Sequence, residues 1–168
     1  MIATGEAGGR DRNDFTRDVA DLTGRLIAAG GKRWLIADGD AYAIAVGLFA
    51  VLHAGGQAIL PANLQAGHVS DVAKAADGVL IDKMVVASTG PSVSLFDPLS
   101  RGDIPSLGPI DADTAEIVLH TSGTTGAPTS ICKPLRCFEA ELMSQSSVFS
   151  PAPGRTVIAT VPPYHIYG

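Results

Sequence analysis

The chain has 168 residues, of which 46% are hydrophobic and 17% are charged. This length suits one domain or a large part of one, and the apolar content is sufficient to build a buried core. The charged fraction lies below the roughly 25% that is usual for soluble domains, so we expect that further protein covers part of the surface.

Charge and hydropathy exclude several classes of function. The net charge is −5 and no cluster of Lys and Arg occurs, so we expect no binding to nucleic acid, whose affinity comes mainly from neutralised phosphates. The longest apolar stretch, residues 41–52, is shorter than the ~20 residues that cross a bilayer. Residues 1–13 lack the apolar segment of a signal peptide. The sequence therefore predicts a cytoplasmic protein without an integral membrane segment.

Helices and strands alternate over the first half of the chain, after a flexible tail at residues 1–13. Asn13 or Asp14 can cap the first helix, and Asp40 can cap the second. Apolar periodicity predicts alternating helices and strands at residues 14–29, 34–37, 41–54, 58–60, 65–76 and 78–81. Short connections between such elements are typical of a doubly wound α/β fold with a mostly parallel sheet and flanking helices. Such sheets bind ligands beyond the carboxyl ends of their strands.

The pattern is weaker between residues 83 and 113, where short strands are expected at 85–86 and 93–96. The later predicted elements are a strand at 114–119, an extended segment at 130–133, a helix at 135–149 and a strand at 156–161. Leu135, Phe138, Leu142 and Phe149 are expected on the inner side of the helix at 135–149.

The segment Thr121-Ser122-Gly123-Thr124-Thr125-Gly126 concentrates hydroxyl groups and glycines directly after an apolar strand. Glycine permits a positive φ and a close approach of the backbone to a ligand. Successive N–H groups in such a loop form a concave site for an anion, and the hydroxyls add uncharged donors. This composition favours a phosphate-binding loop, although a polar surface loop explains the composition as well.

Other motifs near this segment carry less information. The segment matches neither the G-x-x-x-x-G-K-[ST] nor the G-x-G-x-x-G phosphate motif. Ser130-Ile131-Cys132-Lys133 fits the S-x-x-K pattern of serine acylases, but that chemistry places Ser and Lys on one helix turn and this segment is expected to be extended. Cys132 and Cys137 do not have the spacing of a zinc site and are expected to be reduced. Cys132 lies just beyond the loop, so we expect it to be sensitive to alkylation.

Residues 121–128 resemble the phosphate-binding signature T-S-G-[ST]-T-G-x-P-K of the adenylate-forming superfamily. This superfamily comprises acyl- and aryl-CoA synthetases, peptide-synthetase adenylation domains and luciferases. Eight successive positions match, but Thr129 stands where the family usually has Lys. Leu48–Pro61 resembles the family's A-V-L-K-A-G-G-x-x-x-P helix and strand, and Tyr164-His165-Ile166-Tyr167-Gly168 resembles its later aromatic loop. A branch linked to acid loading in lipid and pigment pathways has a Lys at the position of Lys133.

The resemblance implies that residues 14–168 form the N-terminal, incomplete part of an AMP-binding domain. It implies ATP-dependent activation of a fatty or aryl carboxylic acid as an acyl-adenylate, followed by transfer to the thiol of CoA or of an acyl or aryl carrier protein. The implied cofactors are ATP and Mg²⁺, and the implied metal ligand lies beyond Gly168, so no metal ligand is predicted in this chain.

The resemblance also implies roles for individual residues. Thr121–Gly126 would hold the β- and γ-phosphates, and Lys133 would replace the usual Lys in contacting them, unless it simply faces solvent. His165 would lie near the carboxylate and the α-phosphate as a catalytic hydrogen-bond donor, or form part of an aromatic wall.

The chain runs from the apolar strand at 156–161 into the aromatic loop and stops, which predicts a truncated enzyme chain that is inactive by itself. The alternative is a short, non-catalytic protein that binds a phosphate-bearing ligand or a partner chain.

Overall fold

The computed structural model describes residues 3–5, 8–82, 90–97, 105–121, 129–149 and 161–165. In chain order, its strands and helices are β1 (Ala3–Gly5), β2 (Gly8–Arg10), α1 (Arg12–Ala29), β3 (Arg33–Ile36), α2 (Ala41–His53), β4 (Gln57–Leu60), α3 (Ala66–Ala73), β5 (Gly78–Ile81), β6 (Ser92–Ser94), β7 (Glu116–Thr121), β8 (Thr129–Pro134) and α4 (Leu135–Phe149). The strand predicted at 85–86 lies outside the described residues, as does the strand predicted at 156–161 apart from Val161.

Six of the strands form one sheet in the order β6-β5-β3-β4-β7-β8. Neighbouring strands run parallel except for β7 and β8, which form an antiparallel pair. The chain passes from β3 to β4 on one side and then to β5 on the other side of β3, so it winds in both directions from β3. The predicted doubly wound, mostly parallel sheet with flanking helices is confirmed.

Two helical layers cover the two faces of the sheet. Successive residues of a strand point to opposite faces. Trp34 and Ile36 of β3 therefore pack with α1 and α2, whereas Leu35 packs with α3. Strands β4 and β7 repeat this alternation, with Ile59 and Val118 on the face of α3. Because both faces are covered, the central strands are buried along most of their length, as is usual for parallel sheets.

Side-chain caps fix the starts of the first two helices. The Asp11 carboxylate accepts a hydrogen bond from the Asp14 N–H at 2.9 Å, and the Asp14 carboxylate accepts one from the Asp11 N–H at 3.1 Å. The cap of α1 is thus Asp11 rather than the predicted Asn13 or Asp14. The Asp40 carboxylate accepts a hydrogen bond from the Ala43 N–H at 2.9 Å, which confirms Asp40 as the cap of α2.

The first described residues of the chain form a short strand pair that the sequence analysis does not predict. Ala3–Gly5 and Gly8–Arg10 pair as the antiparallel strands β1 and β2, with Ala3 opposite Arg10. Strands of three residues that contain several glycines have too little hydrophobic periodicity to be recognised in a sequence.

Helix α4 has the predicted bounds, but only the first part of its predicted inner side packs against the core. Leu142 and Phe149 are 61% and 78% exposed. Helix α4 follows the edge strand β8, and in the described part of the chain only Leu135 and Phe138 of its first turns pack against the core. The helical spacing of the apolar residues therefore located the helix correctly but did not identify what its apolar side contacts.

A glycine at position 78 leaves room for the indole of Trp34, which is 1% exposed. A Cβ atom at Gly78 would lie 2.4 Å from Cζ3 of Trp34 and 2.9 Å from the carbonyl oxygen of Pro91. We expect Gly78→Ala to lower the free energy of unfolding, measured in urea, by about 1–3 kcal/mol through overpacking.

The matched control is Gly67→Ala in α3, where no atom lies within 4 Å of the added Cβ. This change should raise the free energy of unfolding by up to about 1 kcal/mol because alanine favours the helix. A Gly78→Ala variant as stable as the Gly67→Ala variant would contradict the explanation by packing.

Candidate functional site

The predicted phosphate-binding segment lies between two paired strands. β7 and β8 form an antiparallel ladder that extends from Glu116 opposite Pro134 to Thr121 opposite Thr129. The hydroxyl group of Thr121 donates a hydrogen bond to the carbonyl oxygen of Thr129 at 3.2 Å. This bond reinforces the last residue pair of the ladder. Residues 122–128 connect the two strand ends. We call β7, residues 122–128 and β8 the phosphate hairpin.

The described residues include three of the predicted site residues, namely Thr121, Lys133 and His165. The other predicted site residues lie outside the described residues; they are Ser122, Gly123, Thr124, Thr125 and Gly126. Their roles stay predictions.

The phosphate hairpin opens at the edge of the sheet where ligands are expected. β7 runs parallel to β4, and Leu119 lies opposite Leu60 in the ladder. Thr121 therefore lies at the same edge as the carboxyl ends of β3, β4 and β5. In doubly wound sheets this edge binds ligands. The sheet thus places the end of β7 at Thr121 at this edge.

The carboxylates of two aspartates at the same edge accept hydrogen bonds from nearby backbone N–H groups. Asp38 accepts a hydrogen bond from the N–H of Asp40 at 2.8 Å, and the carboxylate of Asp40 caps α2. These contacts stabilise the turn between β3 and α2, so a structural role accounts for both carboxylates without a ligand.

Two histidines pack together directly beside Thr121. The rings of His68 in α3 and His120 in β7 meet edge to face, with their centroids 6.3 Å apart. Nε2 of His68 accepts a hydrogen bond from the N–H of Ala62 at 3.1 Å. Nδ1 of His120 is buried, and no hydrogen-bond partner for it exists among the described residues. Burial, and then the neighbouring His68, lower the pKa of His120 below its ordinary value of 6.5.

The sequence does not indicate this contact, because 52 positions separate the two histidines. Their contact depends on two features that the sequence does not show directly. One is that β4 and β7 are neighbours. The other is that α3 covers the face on which His120 lies. The alternation of β7 could have indicated that face, since Val118 and His120 are two positions apart and Val118 is buried under α3.

Lys133 lies far along β8 from the open end of the phosphate hairpin. It pairs with Ile117, four positions from Thr121, which corresponds to about 13 Å at the usual rise of a strand. Its Nζ forms an ion pair with Oε1 of Glu141 at 2.7 Å and lies 5.6 Å from the ring centroid of Phe138. Lys133 therefore joins β8 to α4 in this structure, and its contact with phosphates stays a prediction.

His165 lies in a turn whose position is fixed by its neighbours. The N–H of His165 donates a hydrogen bond to the carbonyl oxygen of Pro162 at 3.0 Å, and the ring of Tyr164 packs against the core on the face of α2. His165 itself is half-buried. Its predicted role near the carboxylate and the α-phosphate stays a prediction.

A row of polar side chains crosses the opposite, amino end of the sheet. Arg33 Nε donates to the side-chain oxygen of Gln57 at 3.2 Å, and Gln57 Nε2 donates to Glu116 at 2.8 Å and contacts Sγ of Cys132 at 3.8 Å. Burial, and after it the charge of Glu116, raise the pKa of the Cys132 thiol. A raised pKa reduces the thiolate fraction, so it opposes the predicted sensitivity of Cys132 to alkylation.

A cavity of about 490 Å³ also lies at the amino end of the sheet, at the opposite end of β7 from Thr121. It is lined by the turn after α2, including His53 and Gly55, and by residues 108–111 before β7. The cavity therefore does not coincide with the chemistry that the sequence predicts.

Within the described ranges, no group of three or more His, Cys, Asp or Glu side chains could hold a metal ion. None of the described helices combines the length and the apolar character that crossing a membrane requires.

Comparison with known proteins identifies proteins that are similar to this chain in sequence or in fold. No family model matches the chain. Over 59 residues the chain is 41% identical to a 4-coumarate–CoA ligase of Rhodobacter capsulatus, a match that covers 34% of this chain and 15% of the relative.

Solved structures match nearly the whole chain. Apo MatB from Rhodopseudomonas palustris has a TM-score of 0.72 at 19% identity, covering 97% of this chain and 37% of MatB. The fatty acyl-adenylate ligase from L. pneumophila has a TM-score of 0.73 at 18% identity, covering 91% of this chain and 30% of the ligase. MenE from Bacillus subtilis has a TM-score of 0.69 at 15% identity, covering 92% of this chain and 34% of MenE.

The fold and the phosphate hairpin together define a doubly wound α/β domain that matches the N-terminal domain of adenylate-forming enzymes. The predicted resemblance to the adenylate-forming, AMP-binding superfamily is confirmed by these neighbours and by the similarity to a CoA ligase. The chain spans about a third of the length of these solved enzymes.

The raised pKa of Cys132 predicts slow alkylation. At pH 8 we expect iodoacetamide to modify Cys132 more slowly in the folded chain than in the chain unfolded by urea, because less thiolate is present. Glu116→Gln removes the neighbouring negative charge and should accelerate the reaction. Peptide mass spectrometry distinguishes Cys132 from Cys137. A folded-state rate equal to the rate in urea would contradict this prediction.

Proposed function

We propose that this chain forms the phosphate-binding, N-terminal part of an enzyme that activates a carboxylic acid with ATP, giving an acyl-adenylate and pyrophosphate. The observation that supports the proposal is the antiparallel pair of β7 and β8, whose ends at Thr121 and Thr129 lie at the ligand-binding edge of a doubly wound sheet and flank the predicted phosphate-binding residues. Structures with this fold include ATP-bound MatB and a fatty acyl-adenylate ligase in complex with acyl adenylate and pyrophosphate, which supports ATP as the ligand.

The donors of the phosphate hairpin suit a polyphosphate. Thr121 anchors the strand end through its bond to Thr129, and residues 122–126 contribute the N–H groups and hydroxyls that we assign to the β- and γ-phosphates. When bound, ATP supplies the α-phosphate that the carboxylate oxygen attacks, with pyrophosphate as the leaving group. The contribution of the chain is to orient the phosphates and to stabilise their charge.

We assign His165 to the acid side of the same site. The packing of Tyr164 against the core and the hydrogen bond from His165 to Pro162 hold this turn against the domain. From there the imidazole would donate a hydrogen bond to the carboxylate or to the α-phosphate.

The described residues do not fit Mg²⁺, which the resemblance implies. None of their acidic, histidine or cysteine side chains forms a group that could hold a metal ion. We therefore assign no metal ligand to them and derive no step that depends on the metal.

The proposed substrate is a fatty or aryl carboxylic acid, and the proposed acceptor is the thiol of CoA or of an acyl or aryl carrier protein in the cytoplasm. The similarity to a 4-coumarate–CoA ligase and the structural likeness to a fatty acyl-adenylate ligase and to MenE bound with OSB-NCoA support this range. No observation on the described residues favours the alternative of a short, non-catalytic binding protein.

The first test is ATP binding, measured by calorimetry on the 168-residue chain. We expect the wild-type chain to bind ATP and Gly123→Val to weaken binding by about tenfold or more, since a β-branched residue resists the positive φ and the close approach that glycine allows. Gly108→Val is the control, because no atom lies within 4 Å of a Cβ at Gly108. Absence of ATP binding in the wild-type chain would overturn the proposed function.

The second test concerns Lys133. If Lys133 contacts the phosphates, it must leave Glu141, so Lys133→Met should weaken ATP binding by about tenfold, the usual contribution of a charge-assisted hydrogen bond. Glu141→Gln removes this ion pair and should leave ATP binding unchanged or make it stronger. Equal weakening by both substitutions would show that the ion pair supports the fold and that Lys133 is not a phosphate ligand.

A further inference from the structure

Helix α3 begins without the side-chain cap that fixes the starts of α1 and α2. Gln65, the residue before the helix, makes no capping hydrogen bond with its side chain. Helix α3 has eight residues, and isolated helices shorter than about 12–15 residues are marginal in water. It therefore depends on contacts with the rest of the domain, which Val69, Val72 and Ala73 make with the sheet.

His68 attaches the start of α3 to the carboxyl edge of the sheet. Its Nε2 accepts a hydrogen bond at 3.1 Å from the N–H of Ala62, which lies in the turn after β4. Its ring meets the ring of His120 in β7 edge to face, with the centroids 6.3 Å apart. His68 and His120, which we call the histidine pair, thus join α3, the turn after β4 and β7.

The contacts of the histidine pair require neutral imidazoles. Nε2 of His68 can accept a hydrogen bond only without a proton, so the neutral ring carries its proton on Nδ1 and a protonated ring loses the bond from Ala62. Nδ1 of His120 is buried and has no hydrogen-bond partner within the described part of the chain, so a charge on this ring is poorly stabilised. A proton on either ring also disfavours a proton on the other.

The charged groups around the histidine pair do not favour an imidazolium at His120. Burial, and then His68 and Arg33 of β3, lower its pKa. On α3, Asp71 faces His68, but its carboxylate is paired with Nζ of Lys74 at 2.6 Å.

The other charged side chains of the neighbouring elements are held by contacts of their own. Strand β4 has none. Those of β7, β8 and the turn between β3 and α2 are Glu116, which accepts from Gln57, Lys133, which pairs with Glu141, and Asp38 and Asp40, which accept from backbone N–H groups. None of these carboxylates raises the pKa of His120.

We propose that the histidine pair is an acid-sensitive latch, which holds the start of α3 and the turn after β4 on β7 at neutral pH and releases them as the pH falls. The inference does not depend on the proposed function. Release breaks the hydrogen bond from Ala62 and separates the two rings. Because α3 covers the face of the sheet formed by Leu35, Ile59 and Val118, acid loosens the cover of this face at the carboxyl edge.

The lowered pKa of His120 gives the pH range of the release. An exposed imidazole in the released state has the ordinary pKa of 6.5, whereas the pKa in the latched state is lower. The latched state therefore binds fewer protons than the released state. Its stability is complete above about pH 6.5 and is lost as the pH falls below 6.5 through the lowered pKa.

The experiment is amide hydrogen exchange of the whole 168-residue chain, followed by NMR near pH 7.5 and near pH 5.5 and corrected for the intrinsic effect of pH on exchange. The reporters are the amides of Ala62, which donates to His68, and of Val69, which donates within the first turn of α3. The control is the amide of Ile44, which donates within the first turn of α2.

We expect the protection of Ala62 and Val69 to fall about tenfold more than that of Ile44 between the two pH values, the factor that corresponds to one pKa unit. Equal changes at the three amides would overturn the inference, because a general loss of stability in acid affects Ile44 as well.

Variants test whether the histidine pair causes this difference. The double variant His68→Gln, His120→Phe keeps a side-chain acceptor for Ala62 and fills the buried position, but neither new side chain titrates. The matched control is His53→Gln, because the pKa of His53 is also lowered by burial but this residue ends α2. The difference should disappear in the double variant and persist in the control. Its persistence in the double variant would overturn the inference.

A measurement on the wild-type chain decides the matter if the double variant does not fold. NMR titration gives the midpoint of each imidazole Cε1–H signal and the chemical shift of the Ala62 amide over the same pH range. We expect His120 to titrate below pH 6.5 and the Ala62 signal to change across the midpoints of the histidine pair. An Ala62 signal that changes at neither midpoint would overturn the inference.

Discussion

The burial of β7 between two helical layers is the constraint on which the rest of the site depends. Ile117 and Leu119 face α1 and α2, and Val118 faces α3, so this strand cannot shift by one residue without exposing its apolar side chains. Pairing with β4 fixes where β7 ends, and the antiparallel β8 fixes where the chain returns. The position of the phosphate hairpin is therefore a result of hydrophobic packing and needs no ligand.

The same packing explains why polar residues gather at the two ends of the sheet. The middle of each central strand is enclosed, so side chains that need hydrogen bonds can lie only where the helical layers end. At the amino end the row from Arg33 to Cys132 satisfies its own polar groups. At the carboxyl end the Asp38–Asp40 turn does likewise, whereas Nδ1 of His120 has no partner among the described residues.

Much of the fold could be predicted because it depends on local patterns. Asp40 as a cap, β5 at Gly78–Ile81 and α4 at Leu135–Phe149 follow from short-range signals of capping and periodicity. The contents of the site depend on which distant segments become neighbours. The meeting of His68 with His120 follows from strand order and register, which a single sequence specifies only indirectly. The resemblance supplied the predicted chemistry of residues 121–128, while the structure shows the paired strand ends at Thr121 and Thr129.

The ladder between β7 and β8 has a consequence for the thermodynamics of recognition. Six residue pairs hold the two strands, so Thr121 and Thr129 are already at their mutual distance in the absence of a ligand. The two strand ends therefore lose little conformational entropy when a ligand binds beside them. Preorganisation of this kind leaves more of the contact energy as affinity.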